Sequence, residues 1–370
     1  MLVQIDPISI KTTQKVAEIA WFDDLCGGDT EYLSVKDPQR QSTYEHCRDI
    51  MLKADELGYS NILLPNSYVE GQDPLVFAGA LAPQTKHINM LVAIRVSELH
   101  PPMLARSIAT LDHILKGRLT INIINSDLPG LEESADIRYK RCEEVIEILK
   151  QTWQKDQIEV EGDFYTLDLP SAPAKPFQKA PLLYFGGIAD GAKEVCAKYC
   201  DVFLMWPETE ESLYATMQDV SQRAAKYDRK IDFGLRIHVI VRETEAEARA
   251  YAKRLMSKFN EQQAQAMKYR TQDGKSLGVV RQDELRQTAD EDGFVEPLLW
   301  TEIGKARSGC GGALVGSPAQ ILEKLHRYMD MGIRAFVLSG YPLIEESELF
   351  AQYVLPHLPN VKLSEVYQKD

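Results

Sequence analysis

The chain reads as an α/β protein, a (β/α)8 TIM barrel with insertions. Three observations predict this. Short apolar runs and amphipathic stretches alternate about eight times along 370 residues. The apolar runs lack sustained in–out alternation, the signature of parallel strands covered on both faces. A 44% hydrophobic content in a chain of this length can fill one large core, and α/β barrels run to this size as single domains.

The elements follow in order. Residues 1–16 form an N-terminal arm, and residues 17–358 a single barrel domain. Residues 17–22 (AEIAWF) are the first strand, followed by a polar loop over 23–41 that contains Gly27-Gly28. Residues 43–57 alternate as an amphipathic helix and stop at Gly58. A short strand over 60–65 ends at Pro65. Residues 73–81 are helical, 88–94 a strand, and 102–115 a helix with prolines at its start. After Gly117 comes a strand over 119–124 and a long helix over 135–153. Residues 158–167 alternate around Gly162 like a hairpin. Strands over 182–185, 201–206 and 231–241 then alternate with helices over 190–199, 209–227 and 243–259. Residues 260–300 are polar and glycine-punctuated with a weak helix, which suggests a mobile lid. A helix over 318–331, a strand over 335–339 and a helix over 344–353 finish the barrel, leaving a tail over 359–370.

Bulk properties narrow the function. The formal net charge of -13 argues against nucleic acid and anionic membranes as partners. No run of 18 apolar residues exists, and no signal-peptide pattern opens the chain. The six cysteines are scattered without a CxxC, as in reduced structural thiols, so a cytoplasmic location is expected. No metal-ligand cluster is evident, since Cys196 and Cys200 have no His pair nearby.

One strand stands out. In 235–242, Leu235, Ile237, Val239 and Val241 share one face, and Arg236, His238, Ile240 and Arg242 the other. A guanidinium and an imidazole two residues apart make a good anion receiver, unless they simply face water at a strand end. A barrel gathers its chemistry at the C-terminal strand ends. There lie Trp21, Phe22, Asn66, Arg95, Asn122, Asn125, Gly186-Gly187, Trp206, Arg236, His238 and Tyr341, with Arg307 beside the Gly309–Gly312 turn. This set has arginines, a histidine and aromatic walls. It has no carboxylate dyad and no Ser-His-Asp order, which disfavours hydrolysis. It favours a site that holds an anion and leaves the hard chemistry to a cofactor. The Gly186-Gly187-Ile188-Ala189-Asp190 turn opens a helix whose N-terminus could take a phosphate; such glycines are also common packing.

The runs LYFGG (183–187), FGLRIHVIVRET (233–244), GALVG (312–316) and FVLSGYP (336–342) resemble the flavin-dependent alkanesulfonate monooxygenases of the bacterial luciferase-like superfamily. The resemblance also touches VAIR (92–95), ATLD (109–112) and Gly117-Arg118, and covers most of 17–358 in order. It implies a luciferase-like barrel and reduced FMN supplied by a separate NAD(P)H-dependent flavin reductase. The implied reaction uses O2 to break the C–S bond of an organosulfonate, giving an aldehyde and sulfite. By this resemblance Arg236, His238, Arg307 and Tyr341 are catalytic, and Trp206, Arg95 and Gln72 line the substrate. Asn122, Arg138, Tyr139, Gly186, Gly187, Ile188 and Ala189 hold FMN. A homo-oligomer, dimer or tetramer, is expected, with the arm and tail reaching across the interface.

Two departures sharpen the expectation. The phosphate turn carries Ile188-Ala189 where the family often has two serines, so backbone donors must suffice. The loop after the second strand, 66–73, lacks the family's cysteine and is polar. A polar sulfonate such as the sulfosugar sulfoquinovose is therefore expected, with a short alkanesulfonate as the alternative. Another luciferase-like flavin or deazaflavin oxidoreductase would not need Arg236, Arg307 and His238 together, and a non-catalytic flavin- or sulfonate-binding protein with a degenerate site should have lost the polar cluster that this chain retains.

Overall fold

The structure, a computed structural model, describes residues 8–69, 71–268 and 276–369. Residues 1–7 of the expected arm, 269–275 of the expected lid and Asp370 of the tail lie outside the described residues.

The first half runs β1 (Glu18–Phe22), α1 (Tyr44–Leu57), β2 (Asn61–Leu64), α2 (Pro74–Leu81), β3 (Asn89–Arg95), α3 (Pro101–Leu115), β4 (Leu119–Ile124) and α4 (Ala135–Gln154). A hairpin of β5 (Gln157–Glu161) and β6 (Thr166–Pro170) precedes β7 (Leu182–Phe185), α5 (Asp190–Tyr199), β8 (Val202–Met205) and α6 (Glu210–Ala225). Next come β9 (Asp232–Val241), α7 (Glu245–Met256), α8 (Glu261–Lys268), α9 (Leu277–Gln287), β10 (Phe294–Glu296), β11 (Leu299–Trp300) and β12 (Ala313–Gly316). The chain ends with α10 (Pro318–Met331), β13 (Ile333–Ser339), α11 (Leu343–Tyr353) and α12 (Leu363–Tyr367).

Local chemistry sets the helix boundaries. The side chains of Thr43, Asp73, Ser134 and Thr209 cap α1, α2, α4 and α6, each accepting from a backbone N–H of its first turn. Gly58 ends α1 in the left-handed conformation at φ 84°.

Eight parallel strands, β1, β2, β3, β4, β7, β8, β9 and β13, close into a barrel through the β8–β9 and β13–β1 pairings. Apolar side chains outside the barrel pack against the helices, Ile62, Val92, Leu235 and Ile237 among them. A smaller cluster of Ala20, Leu63, Leu91, Tyr184, Val202, Leu204, Ala335 and Val337 fills the lumen.

β9 is the longest barrel strand, with 10 residues, and it outruns its neighbour. Its first part pairs with β8 and its last four residues, His238 to Val241, pair with β12. β12 in turn carries β11 and β10 antiparallel, so the insertion between β9 and β13 extends the sheet at the catalytic end. The 260–300 stretch thus carries two helices and two short strands rather than one weak helix. Sequence reading missed β10 and β11 because strands of two or three residues leave no usable period, and β12 because it directly follows the glycine-rich 308–312 run.

The termini seal the opposite end. Thr12 donates from N and Oγ1 to Asp232, and Arg334 donates to the Thr12 carbonyl. The tail forms α12, and Leu363 is buried within the lumen cluster. Its N–H donates to Glu18, a carboxylate shared with Tyr184 and Asn61. Tyr367 reaches Asp232 and the Asp201 carbonyl. The described arm and tail therefore plug their own barrel instead of extending outward.

Replacing Leu363 with Ala empties a fully buried position and is expected to lower stability by about 2–5 kcal/mol. Urea unfolding checks this; a loss below about 0.5 kcal/mol contradicts the plug.

Candidate active site

On β9 the two expected faces separate as strand geometry requires. Leu235, Ile237, Val239 and Val241 join the layer between sheet and helices. Gly234 points at Leu204 and Ala335 in the lumen, and the same face carries Arg236 and His238 upward. Arg242, the last of that face, is spent differently: it pairs with Glu346 at 2.6 Å and stacks over Tyr251 at 3.7 Å.

Arg236 is only 5% exposed. Its Nη1 donates to the carbonyls of Ile237 at 3.2 Å and Val337 at 3.4 Å. Its guanidinium lies 4.3 Å over the Phe22 ring at the end of β1. Among the described residues no carboxylate forms an ion pair with it. Burial lowers its pKa, yet a guanidinium keeps its charge in a protein.

His238 is 1% exposed, and both ring nitrogens are engaged. Nδ1 lies 2.6 Å from Ser339 Oγ and Nε2 lies 3.2 Å from the Cys310 carbonyl. Burial, then the charges of Arg236 and Arg307, hold its pKa well below the usual histidine value. The ring is therefore neutral at physiological pH. Its centroid is 5.1 Å from that of Tyr341.

Two glycine-rich turns complete the wall. The 307–312 turn leads into β12, whose pairing with β9 brings Arg307 and Cys310 over the barrel mouth. Cys310 is a buried thiol that donates to the Arg236 carbonyl at 3.2 Å. Arg307 lies 5.7 Å over the Tyr341 ring and reaches the Gly27 carbonyl at 3.5 Å. Gly28 must be glycine: a Cβ there would sit 1.7 Å from Arg307 Nη1, and its φ is +140°. Tyr341 is 3% exposed, and burial raises its pKa against the pull of Arg307 and Arg236, so the phenol keeps its proton.

The loop after β1 adds a carboxyl that sequence reading did not single out. Asp24 is 2% exposed and accepts from Asp29 N–H at 3.1 Å. Its Oδ2 is buried without a hydrogen-bond partner. Burial and the nearby Asp29 push its pKa up to about 7, against the pull of Arg307 and His46.

Arg236, His238, Arg307 and Tyr341 are thus gathered at one place, as expected. Trp206 follows β8, and its ring packs under Gly278 of α9. Arg95 is fully committed elsewhere: it donates to Ser126, the Asp127 carbonyl and the Asn66 carbonyl, tying together the loops after β2 and β4. Gln72 donates to the Ser42 carbonyl and to Cys47 Sγ, both at 3.4 Å.

The residues expected at FMN lie along β4, α4 and the β7–α5 turn. Asn122 lies on β4, beside Ala93 of β3 and Tyr184 of β7. Arg138 donates to Asp127 at 2.6 Å, and its Nε is buried and unpartnered. Asn125, in the same cavity, has both amide atoms buried and unpartnered. Tyr139 packs on the start of α5, where a Cβ on Gly191 would meet its ring at 2.4 Å. At Gly186 a Cβ would strike the Leu204 carbonyl at 2.3 Å. Ile188 is 45% exposed, and Ala189 caps α5 without any side-chain hydrogen bond.

Ser339 and the Cys310 carbonyl were missed at the sequence level. Ser339 had a readable signal, since it lies two residues before Tyr341 at the end of a strand. The Cys310 carbonyl had none, because a backbone contact carries no residue-type signature.

Asp24 yields a stability prediction. Between about pH 4 and 7 the folded chain holds a proton on Asp24 that the unfolded chain has lost. Wild-type stability therefore falls as pH rises through that window. Asp24→Asn removes the dependence, so its stability relative to wild type is expected to grow by a few kcal/mol from pH 4 to pH 8. Urea titrations at four pH values check this, and parallel curves contradict it.

The profile of the luciferase-like monooxygenases matches residues 32–335. The chain is 51% identical over 354 residues to a sulfoquinovose monooxygenase of Agrobacterium fabrum, spanning 95% of this chain and 92% of that protein. It is 49% identical over 349 residues to a sulfoquinovose monooxygenase of Novosphingobium aromaticivorans, spanning 92% and 96%. The fold matches a long-chain alkane monooxygenase at a TM-score of 0.76 and 20% identity, covering 93% of this chain and 91% of that one. The chain therefore belongs to the luciferase-like monooxygenase family and is an enzyme, a flavin-dependent monooxygenase.

Proposed function

We propose that the protein is an FMNH2-dependent sulfonate monooxygenase acting on sulfoquinovose or a closely related polar sulfonate. The observation that carries this reading is Arg236: a buried guanidinium with no carboxylate partner among the described residues, beside a second arginine and a neutral histidine. A sulfonate is a permanent anion with three acceptor oxygens, and it would complete such a set at any working pH. The names of the two relatives point to the same substrate.

In this reading Arg236 and Arg307 bind the sulfonate, and His238 donates a neutral hydrogen bond to it. Tyr341, with its proton held, donates to substrate oxygen. Trp206 forms an apolar wall, and α9, resting on it, acts as part of the lid. Arg95 supports the site from behind, and Gln72 shapes the loop beside Cys47. The C–S bond breaks, one oxygen atom of O2 enters the aldehyde, the other leaves in water, and sulfite departs.

The residues present fit a flavin. The unpartnered amide of Asn125 and Nε of Arg138 leave donors and acceptors for a polar ring edge. Gly186, Gly187 and the uncapped start of α5 leave room and backbone N–H groups for a phosphate without the usual hydroxyls. Asn122, Tyr139, Ile188 and Ala189 would border it. Reduced FMN, when bound, supplies the activation of O2. The reading includes a separate NAD(P)H-dependent reductase and a homo-oligomeric assembly.

A coupled assay with FMN, NADH, a flavin reductase and a sulfonate panel tests the reading. Sulfite release is expected with sulfoquinovose well above that with octanesulfonate; the reverse order contradicts the sulfosugar. Arg236→Met is expected to lower kcat/KM by roughly 30-fold or more, the consequence of removing one partner of a buried charge pair.

A further inference from the structure

The geometry points to Ser339, together with the Cys310 carbonyl, as the pair that fixes the tautomer and orientation of His238, making it a neutral N–H donor aimed at the turn that carries Arg307. A carbonyl oxygen can only accept, so the 3.2 Å contact with the Cys310 carbonyl places the ring proton on Nε2. Nδ1 is then a bare lone pair, and Ser339 Oγ at 2.6 Å donates to it. The opposite tautomer would set the Nε2 lone pair against the carbonyl lone pair. An imidazolium would satisfy neither Ser339 as donor nor its surroundings, where Arg236 of β9 and Arg307 of the turn already add two positive charges. The other titratable neighbours, Cys310 and Tyr341, hold their protons and offer no countercharge.

The arrangement is built into the sheet. Ser339 of β13 and His238 of β9 are direct partners in the parallel register, and His238 N–H donates to the Gly312 carbonyl at 3.0 Å. Ser339 is 1% exposed, so water does not compete for Nδ1. The two bonds differ in strength. At 2.6 Å the serine bond is short, whereas 3.2 Å is at the long end of the normal range. The ring can therefore redirect its Nε2–H from Cys310 to a bound anion while Ser339 keeps it oriented. Ser339 is a positioning residue: it touches His238 and acts through it. The identity of the anion rests on the sulfonate reading above; the tautomer does not.

Nitrogen-15 NMR of the histidine-labelled holoenzyme tests this, with the His238 signals assigned by their absence in His238→Asn. Wild type is expected to show the neutral, Nε2-protonated pattern throughout pH 6–8. Ser339→Ala is expected to give mixed or averaged ring signals and a kcat about tenfold lower with a smaller change in KM. Ser339→Thr, which keeps the hydroxyl, is expected to restore both. A charged or Nδ1-protonated His238 in wild type overturns the inference without any variant having to fold. So does a Ser339→Ala protein with unchanged ring signals, whatever its kcat. If wild type gives the stated ring pattern but releases no sulfite from any sulfonate, the functional reading falls and the tautomer assignment stands.

Discussion

The structure depends at its catalytic end on one buried positive charge. Moving a guanidinium out of water costs several kcal/mol unless something restores its solvation. Around Arg236 the protein supplies only part of that restoration. Two carbonyls accept from one nitrogen, and the face of Phe22 contributes on the order of 2 kcal/mol. Arg242, six residues further on, shows the alternative: it has Glu346 as a full ionic partner. The contrast identifies Arg236 as a charge kept incomplete, which is how a protein holds affinity for an anion in reserve. Arg307 rests on a carbonyl and an aromatic ring, with the carboxyl of Asp24 near enough to feel its charge.

The fold exists around that constraint. β9 must be long enough to carry Arg236 and His238 above β8, and its overhang needs a new pairing partner. β12 provides it, and in doing so delivers Arg307 and Cys310 to the mouth. The glycines at 28, 311 and 312 let the surrounding segments come close enough for this; at Gly312 a Cβ would meet Pro207 at 2.9 Å. At the far end the chain closes the lumen with its own tail, through Leu363, so access is left to the catalytic face. Stability is concentrated at the floor and binding capacity at the top, as is general for this barrel.

Much of this was legible in the residues. The barrel could be read because short apolar strands and capped helices repeat, and Arg236 with His238 because a period of two is unambiguous in a buried strand. The losses have physical causes. β10 and β11 are too short to show a period, and β12 directly follows a glycine-rich turn. The tail was expected to reach across an interface because its anchors at its own barrel, Leu363 in the lumen and Tyr367 at Asp232, are isolated residues without a pattern. Arg95 was expected at the substrate from its place at a strand end; the closed barrel directs three of its N–H groups to Ser126 and two carbonyls, which sequence position alone does not reveal. Asp24 depends on which neighbours the closed barrel brings to it, and no local pattern encodes that, whereas Ser339 was readable from its place two residues before Tyr341 at a strand end.

The central claim is that Arg236 waits for a sulfonate. The most direct measurement is calorimetric binding of sulfoquinovose and of glucose, made without oxygen and with reduced FMN present, to wild type and to Arg236→Met. The account predicts that wild type binds sulfoquinovose but not glucose, and that the variant binds sulfoquinovose at least about tenfold more weakly. Equal binding of glucose, or undiminished binding by the variant, would contradict it.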